Sequence, residues 1–256
     1  MKYLSKDNVQ LLDLPDEIIL TIMNKVKPRV LLLCSIIAIG NNRLEQLALD
    51  KCQAIDLTCN YFQLQDQSLF QRRFYSHVMP RIFNNIQSLT LYIQHLPDIV
   101  SFAEKNSDRI FPNLTHLKIM VFKRNPKTST SYILARALPH LKILEVFNKL
   151  EQQKKITATT NNLKFTHLTT LILFDIHMDY AQQLLCRTCL PCLNELAIRN
   201  DILLAIIAQN QHQTIDNCSR VEQLRTSEPL YDSLNVLRNY FPPDSYVKHE
   251  KETQTT

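Results

Sequence analysis

Glycine is almost absent from this chain: Gly40 is the single one in 256 residues. Phosphate-cradling loops and tight two-residue hairpins both use backbone at positive φ, which glycine supplies without steric cost. The shortage argues against Rossmann and P-loop enzymes and leaves turning to longer loops punctuated by Asn and Pro. Basic runs are missing too. The net charge of +5 is spread along the chain with no five Lys or Arg together, so nucleic acid is not expected as a partner. There is no long apolar run. The longest, Val30 to Ile39, covers ten positions and is broken by Cys34 and Ser35. A membrane span needs about 20 such residues, so a buried helix and no membrane partner are expected. Residues Met1 to Asp7 are polar, with no apolar segment of a secretory signal behind them. The seven cysteines are odd in number and form no paired framework. Reduced thiols and a cytoplasmic or nuclear location follow as expectations.

What is present suffices for one or two compact units, since 45% of the residues are hydrophobic. Near the start, Leu14-Pro15 sets proline at a first helical turn, where its missing N–H costs nothing. Asp13 is the expected N-cap, and Asp16 and Glu17 favour the positive end of the helix dipole. Ile18, Ile19, Ile22, Met23 and Val26 recur at helical spacing, and Pro28 ends the run. A second helix is expected over Val30 to Ile39, apolar nearly all round, with Gly40 at its C-cap. A third is expected over Arg43 to Leu49 with Leu44 and Leu47 inward. Three short helices in some forty residues bury too little to be robust alone. The surface of Leu14, Pro15, Ile18 and Ile22 then needs either the rest of the chain, as a helical cap, or a partner.

From residue 86 a register of the form L-x-x-L-x-L recurs: Ile86-Leu89-Leu91, Leu114-Leu117-Ile119, Leu141-Leu144-Val146, Leu168-Leu171-Leu173 and Leu193-Leu196-Ile198. A weaker sixth copy is Val221-Leu224-Thr226, and a degenerate strand is expected at Ala54 to Thr58. The steps of 28, 27, 27, 25 and 28 residues fall in the range of about 20–29 found for leucine-rich repeats. Alternate residues of a strand share a face, so the fourth and sixth positions point inward together. Amphipathic stretches lie between the registers: Asp98–Asn106, Ser131–Ala137, Asp179–Leu190, Ile202–Asn210 and Leu230–Tyr240. Pro112, Pro139 and Pro191 precede three registers by two residues and stop what comes before. The polar stretch 149–164 reads as a loop or frayed helix.

The stretch Leu14-Pro15-Asp16-Glu17-Ile18-Ile19-Leu20-Thr21-Ile22 resembles the opening of an F-box. Val30 to Ile37 is similar to its second helix, and Asn42-Arg43-Leu44-Glu45-Gln46-Leu47 to its closing segment. The later registers resemble the leucine-rich repeats attached to F-boxes. The resemblance implies an α/β fold: a leucine-rich-repeat solenoid of parallel strands plus helices, behind an N-terminal all-α F-box-like module. The expected divisions are a tail at 1–10, the module at 11–50, the repeats at 51–241 and a disordered tail at 242–256. The resemblance also implies a non-enzymatic substrate adaptor of a cullin–RING ubiquitin ligase. Its module would dock on the Skp-type adaptor through Leu14, Pro15, Ile18, Ile22, Leu31 and Ile36. Its repeats would hold an unknown protein substrate. The alternative is a repeat scaffold with a degenerate helical cap and no ligase role.

In such a register the third, fifth and seventh positions face solvent. The seventh reads Tyr92, Met120, Phe147, Phe174 and Arg199, an apolar row ending in a cation. Aromatics and Arg are favoured interface anchors, so these five are the candidate substrate contacts. The fifth position reads Thr90, Lys118, Glu145, Ile172 and Ala197, a mixed polar rim. Cys186-x-x-Cys189-x-x-Cys192 has a spacing that metal sites use. No fourth ligand stands at suitable spacing, with His177 the nearest histidine, so small thiols are preferred to a metal. His116, His140 and His167 read as surface residues of the repeat. No catalytic residue, cofactor or metal site is expected.

Overall fold

In the computed structural model the chain divides into two units, Met1–Ile86 and Gln87–Thr256. The structure describes residues 10–37, 39–50, 52–58, 71–105, 111–121, 138, 140–148, 163–186, 188–209, 212–226, 237, 239–243 and 245–249. The division falls after Ile86, later than the boundary at 50 read from the sequence. The segment around Phe74–Val78 and Met79–Ile82 therefore belongs with the N-terminal helices.

In the first unit, a 3-10 turn at Leu11–Asp13 leads into α1 (Asp16–Lys25), α2 (Arg29–Ile36) and α3 (Asn42–Leu49). Asp13 does not cap α1. Its carboxylate accepts the Gln10 N–H at 2.9 Å, and Pro15 is the N-cap. The helix ends at Lys25, ahead of Pro28, which itself caps α2. Along α1 the residues four apart split by face. Ile19 and Met23 are buried, while Ile18, Ile22 and Val26 form an exposed apolar stripe. α2 is almost wholly apolar and buries Val30, Leu33, Cys34 and Ile36. It ends at Ile36, short of the expected Ile39, and Gly40 takes φ of +73°. The Asn41 side chain accepts the Leu44 N–H at 3.0 Å and starts α3, which buries Leu44 and Leu47.

Arg43 fastens this unit together. From α3 its guanidinium donates to the Asp16 carboxylate at 2.8 Å and to the carbonyls of Leu12 and Leu14 at 2.6 and 2.8 Å. One side chain thus fixes the entry to α1 and the angle at which its stripe leaves the surface. The strand β1 (Ala54–Asp56), a π turn at Phe74–Val78 and a short helix α4 (Met79–Ile82) complete the described part.

The second unit is a mixed α/β fold built on an open parallel sheet of seven strands. They are β2 (Ser88–Tyr92), β3 (His116–Met120), β4 (Ile143–Phe147), β6 (Thr170–Leu173), β8 (Glu195–Ile198), β9 (Gln223–Thr226) and β10 (Tyr246–His249), hydrogen-bonded in that order. Two further short strands, β5 (Leu163–Lys164) and β7 (Thr188–Cys189), pair separately in parallel. Burial alternates along β2, β3 and β4 as the pleat requires. Leu89, Leu117, Leu144, Leu171, Leu196 and Leu224 are all buried, and so are the first residues of the registers, Leu114, Leu141, Leu168, Leu193 and Val221. Each such leucine contributes about 1.5–3 kcal/mol through burial.

Short turns feed the strands. Leu114, Leu141, Leu193 and Val221 return their N–H to the carbonyl three residues back, at 3.1–3.4 Å. Successive turns are tied in a ladder: Lys142 N to Thr115 O, Thr169 N to Lys142 O, and Asn194 N to Thr169 O, each 2.9 Å. Parallel neighbours need a crossover. The described ones are α5 (Leu96–Lys105), α6 (Met178–Cys186) and the pair α7 (Asn200–Ile207) and α8 (His212–Cys218). The expected helix at 131–137, residues 149–162 of the polar stretch and most of the expected helix at 230–240 lie outside the described residues.

In the second unit three further expectations change. The tail is not wholly disordered: Tyr246–His249 pairs with Gln223–Thr226 as a seventh strand. Its Tyr-Val pair suits a pleated strand, but no leucine marks it. The helix before residue 190 stops at Cys186, and Thr188–Cys189 is extended. One crossover holds two helices, with α8 unforeseen. Asn217 of α8 explains why it is needed. Its buried side chain donates to the carbonyls of Leu185 and Thr188 at 2.9 and 2.7 Å and accepts the Leu190 N–H at 3.0 Å. These are groups left unpaired where α6 gives way to a strand.

Candidate interaction surfaces

Tyr92, Met120 and Phe147 end three adjacent strands and stand directly across from one another. All three are half-buried, so each shows a side rather than its whole ring or thioether. Phe174 follows β6 in a turn and is also half-buried. Arg199 does not continue the row. It is exposed, caps α7, and donates from Nε and Nη2 to the Asp201 carboxylate at 3.1 and 2.6 Å.

The cations of this face come from the fifth register positions instead. Lys118 Nζ lies 4.4 Å from the centre of the Phe147 ring and 3.2 Å from Glu145 Oε2. Glu145 Oε1 meets His116 Nε2 at 3.0 Å. Further along the sheet, Arg225 Nη1 of β9 donates to Glu195 Oε1 of β8 at 2.6 Å, and its guanidinium carbon is 5.9 Å from the Phe174 ring centre. Thr170 donates to the other Glu195 oxygen at 3.3 Å. The face therefore carries two matching units, each a carboxylate, a cation and an aromatic ring. Cation–ring contacts of this kind contribute about 0.5–1 kcal/mol when exposed. Sequence reading missed Arg225 because it sits in the weakest register, between Leu224 and Thr226. Its fifth-position place was the available signal.

The docking candidates of the first unit are not equivalent. Ile18 and Ile22 are 47% and 42% exposed, Pro15 is exposed, and Leu14 and Leu31 are half-buried. Ile36 is 5% exposed and belongs to the core of this unit, so its side chain offers nothing to a partner. α2 is apolar all round, and sequence alone cannot say which of its residues face out. Leu11, Leu12 and Val26 extend the exposed patch. Val26 was legible as the next step, four residues on, of Ile18 and Ile22. A separate open cleft of about 580 Å³ is lined by Lys27, Pro28, Arg29, Ala54 and Asp56. The Asp56 carboxylate already accepts the Thr58 N–H and hydroxyl at 2.8 and 2.6 Å.

The three cysteines of the C-x-x-C-x-x-C run occupy different environments. Cys186 is buried and accepts the Thr214 hydroxyl at 3.0 Å, Cys189 is half-buried in β7, and Cys192 is exposed in a turn. No group of three metal-ligating side chains is assembled among the described residues. Burial, with the nearby Cys186, pushes the Cys218 thiol up to about 12. Burial likewise raises Cys52 and lowers the imidazole of His95, against an opposing pull from Asp98. No described helix is long and apolar enough to cross a membrane. Compared with known proteins, this chain matches no family model and no curated relative.

Proposed function

We propose that this protein is a substrate adaptor of a cullin–RING ubiquitin ligase, with an F-box-like module ahead of a leucine-rich-repeat solenoid. The observation that carries the reading is the stripe of Ile18, Ile22 and Val26, left open on a helix whose other face is buried. Exposed apolar surface of this kind marks association sites. Leu11, Leu12, Leu14 and Pro15 border it, and Arg43 holds their segment in place. The stripe would bury itself on a Skp-type adaptor.

The second surface, the sheet face of Tyr92, Met120, Phe147 and Phe174, would hold a protein substrate. Lys118 and Arg225 replace Arg199 as the cations available there. The chain itself would do no chemistry. It would raise the effective concentration of the substrate's lysines at a ubiquitin carrier brought by other subunits.

The test is binding of the purified full chain to a purified Skp-type adaptor. Wild type should bind, and the double substitution Ile18→Asp and Ile22→Asp should abolish binding without lowering the melting temperature. An adaptor that ignores wild type, or binds the double variant equally well, would leave a repeat scaffold with no ligase role.

A further inference from the structure

The sheet face carries two carboxylates, and both are turned to the protein's own donors. Glu145 Oε1 meets His116 Nε2 at 3.0 Å, and its Oε2 lies 3.2 Å from Lys118 Nζ. Glu195 Oε1 accepts from Arg225 at 2.6 Å, and its Oε2 from Thr170 at 3.3 Å. All four carboxylate oxygens are thus engaged. The cations are not used up in the same way. An ammonium has three N–H donors and a guanidinium five, so one carboxylate oxygen exhausts neither. Exposure follows the same order. The Lys118 side chain is 34% exposed and the Glu145 side chain 15%, while Arg225 is slightly more exposed than Glu195. No further carboxylate stands at an outward position of β2, β3, β4, β6, β8 or β9.

We infer that this face selects an extended, acidic protein segment, whose carboxylates pair with Lys118 and Arg225 while an apolar side chain between them lies on Phe147 and Phe174. The preference rests on reading this face as the substrate surface and says which substrates it takes. A basic segment would have to compete with His116, Lys118, Thr170 and Arg225 for the two carboxylates. An acidic one adds to the contacts of the cations, which stand outermost. Lys118 of β3 and Arg225 of β9 are four strand spacings apart, about 19 Å between backbones. Both lean inward over the rings, 4.4 and 5.9 Å from the ring centres. An extended chain advances about 3.3 Å per residue, so acids about three to six positions apart reach both cations.

The purified full chain is panned against a random peptide library, and the selected peptides are measured by fluorescence polarisation at low and high salt. Selected sequences should carry pairs of Asp or Glu around an aliphatic or aromatic residue and should bind more weakly as salt rises. Changing a peptide's acids to Asn or Gln should weaken binding by about fivefold for each charge pair lost. Lys118→Gln with Arg225→Gln should do the same, and the amide peptide should lose little more on that variant. Lys118→Arg should bind like wild type. Both cations are partly exposed, so these variants should keep the wild-type circular dichroism, and the peptide substitutions test the pairing without touching the fold. Selection of neutral or basic peptides, or equal binding of acidic ones to the Gln double variant, overturns the acidic preference. If such peptides still lose binding in Phe147→Ala, the face remains a substrate surface and only its preference is wrong. If no peptide is selected, or none depends on Phe147, the substrate reading of the face falls as well.

Discussion

Arg225 reaches across a whole strand to Phe174. It lies on β9, directly opposite Ala197 of β8, which is in turn opposite Ile172 of β6. Yet its guanidinium approaches the ring that follows β6 and bonds Glu195 on the strand between. Ala197, the residue being crossed, has no exposed surface although it occupies an outward position. A larger side chain there would bar the route.

Arg225→Ala and Phe174→Leu should therefore be coupled. Each single variant is expected to lose about 1 kcal/mol. The double-mutant cycle should return a coupling of about 0.5–1 kcal/mol in urea denaturation. Ala197→Leu should remove the coupling even with both partners intact, because it displaces the guanidinium.

Asn217→Ala should be among the most damaging single substitutions in the second unit. It leaves the carbonyls of Leu185 and Thr188 and the N–H of Leu190 without their partner in a buried place. At about 1–3 kcal/mol for each unsatisfied group, the loss should be at least about 3 kcal/mol. Denaturation midpoints check this. Hydrogen exchange should speed first at residues 185–190.

His95 predicts acid sensitivity. It is almost fully buried, and burial lowers its pKa below 6.5 in the folded state. The unfolded chain therefore binds more protons as the pH falls through that value, and stability falls with it. At pH 7 the contribution is fully present. Thermal melts between pH 7 and 5 should show a falling midpoint, and His95→Phe should flatten the fall.

Thiol labelling should separate the cysteines by environment. Cys192 is exposed, so in the native protein it should react quickly with an alkylating reagent. Cys218, held at about 12 and buried, should stay unmodified until the chain opens. Mass spectrometry of the alkylated protein reads both.

The parallel strands were legible because a leucine at every second residue and a step of 25–28 residues leave few alternatives. β10 was not, since it carries no leucine and follows a proline pair. The stripe on α1 could be read from spacing, but the assignment of Ile36 to a surface could not, because α2 offers no polar face to orient it. Counting register positions puts Arg199 in the face. Its carboxylate neighbour two residues on, Asp201, redirects it, and the helix start that brings the two together is not written in the repeat.

The unequal steps between registers carry a consequence for how this chain tolerates changes of length. Strands separated by 25, 27 or 28 residues pair without slipping, so each crossover absorbs its own surplus. Doubling a flexible connection costs only about 0.6 kcal/mol. A short tag inserted in a crossover should leave the sheet as it is. Deleting Leu117 from β3 would turn the rest of that strand over, sending Ile119 to solvent and Lys118 into the core.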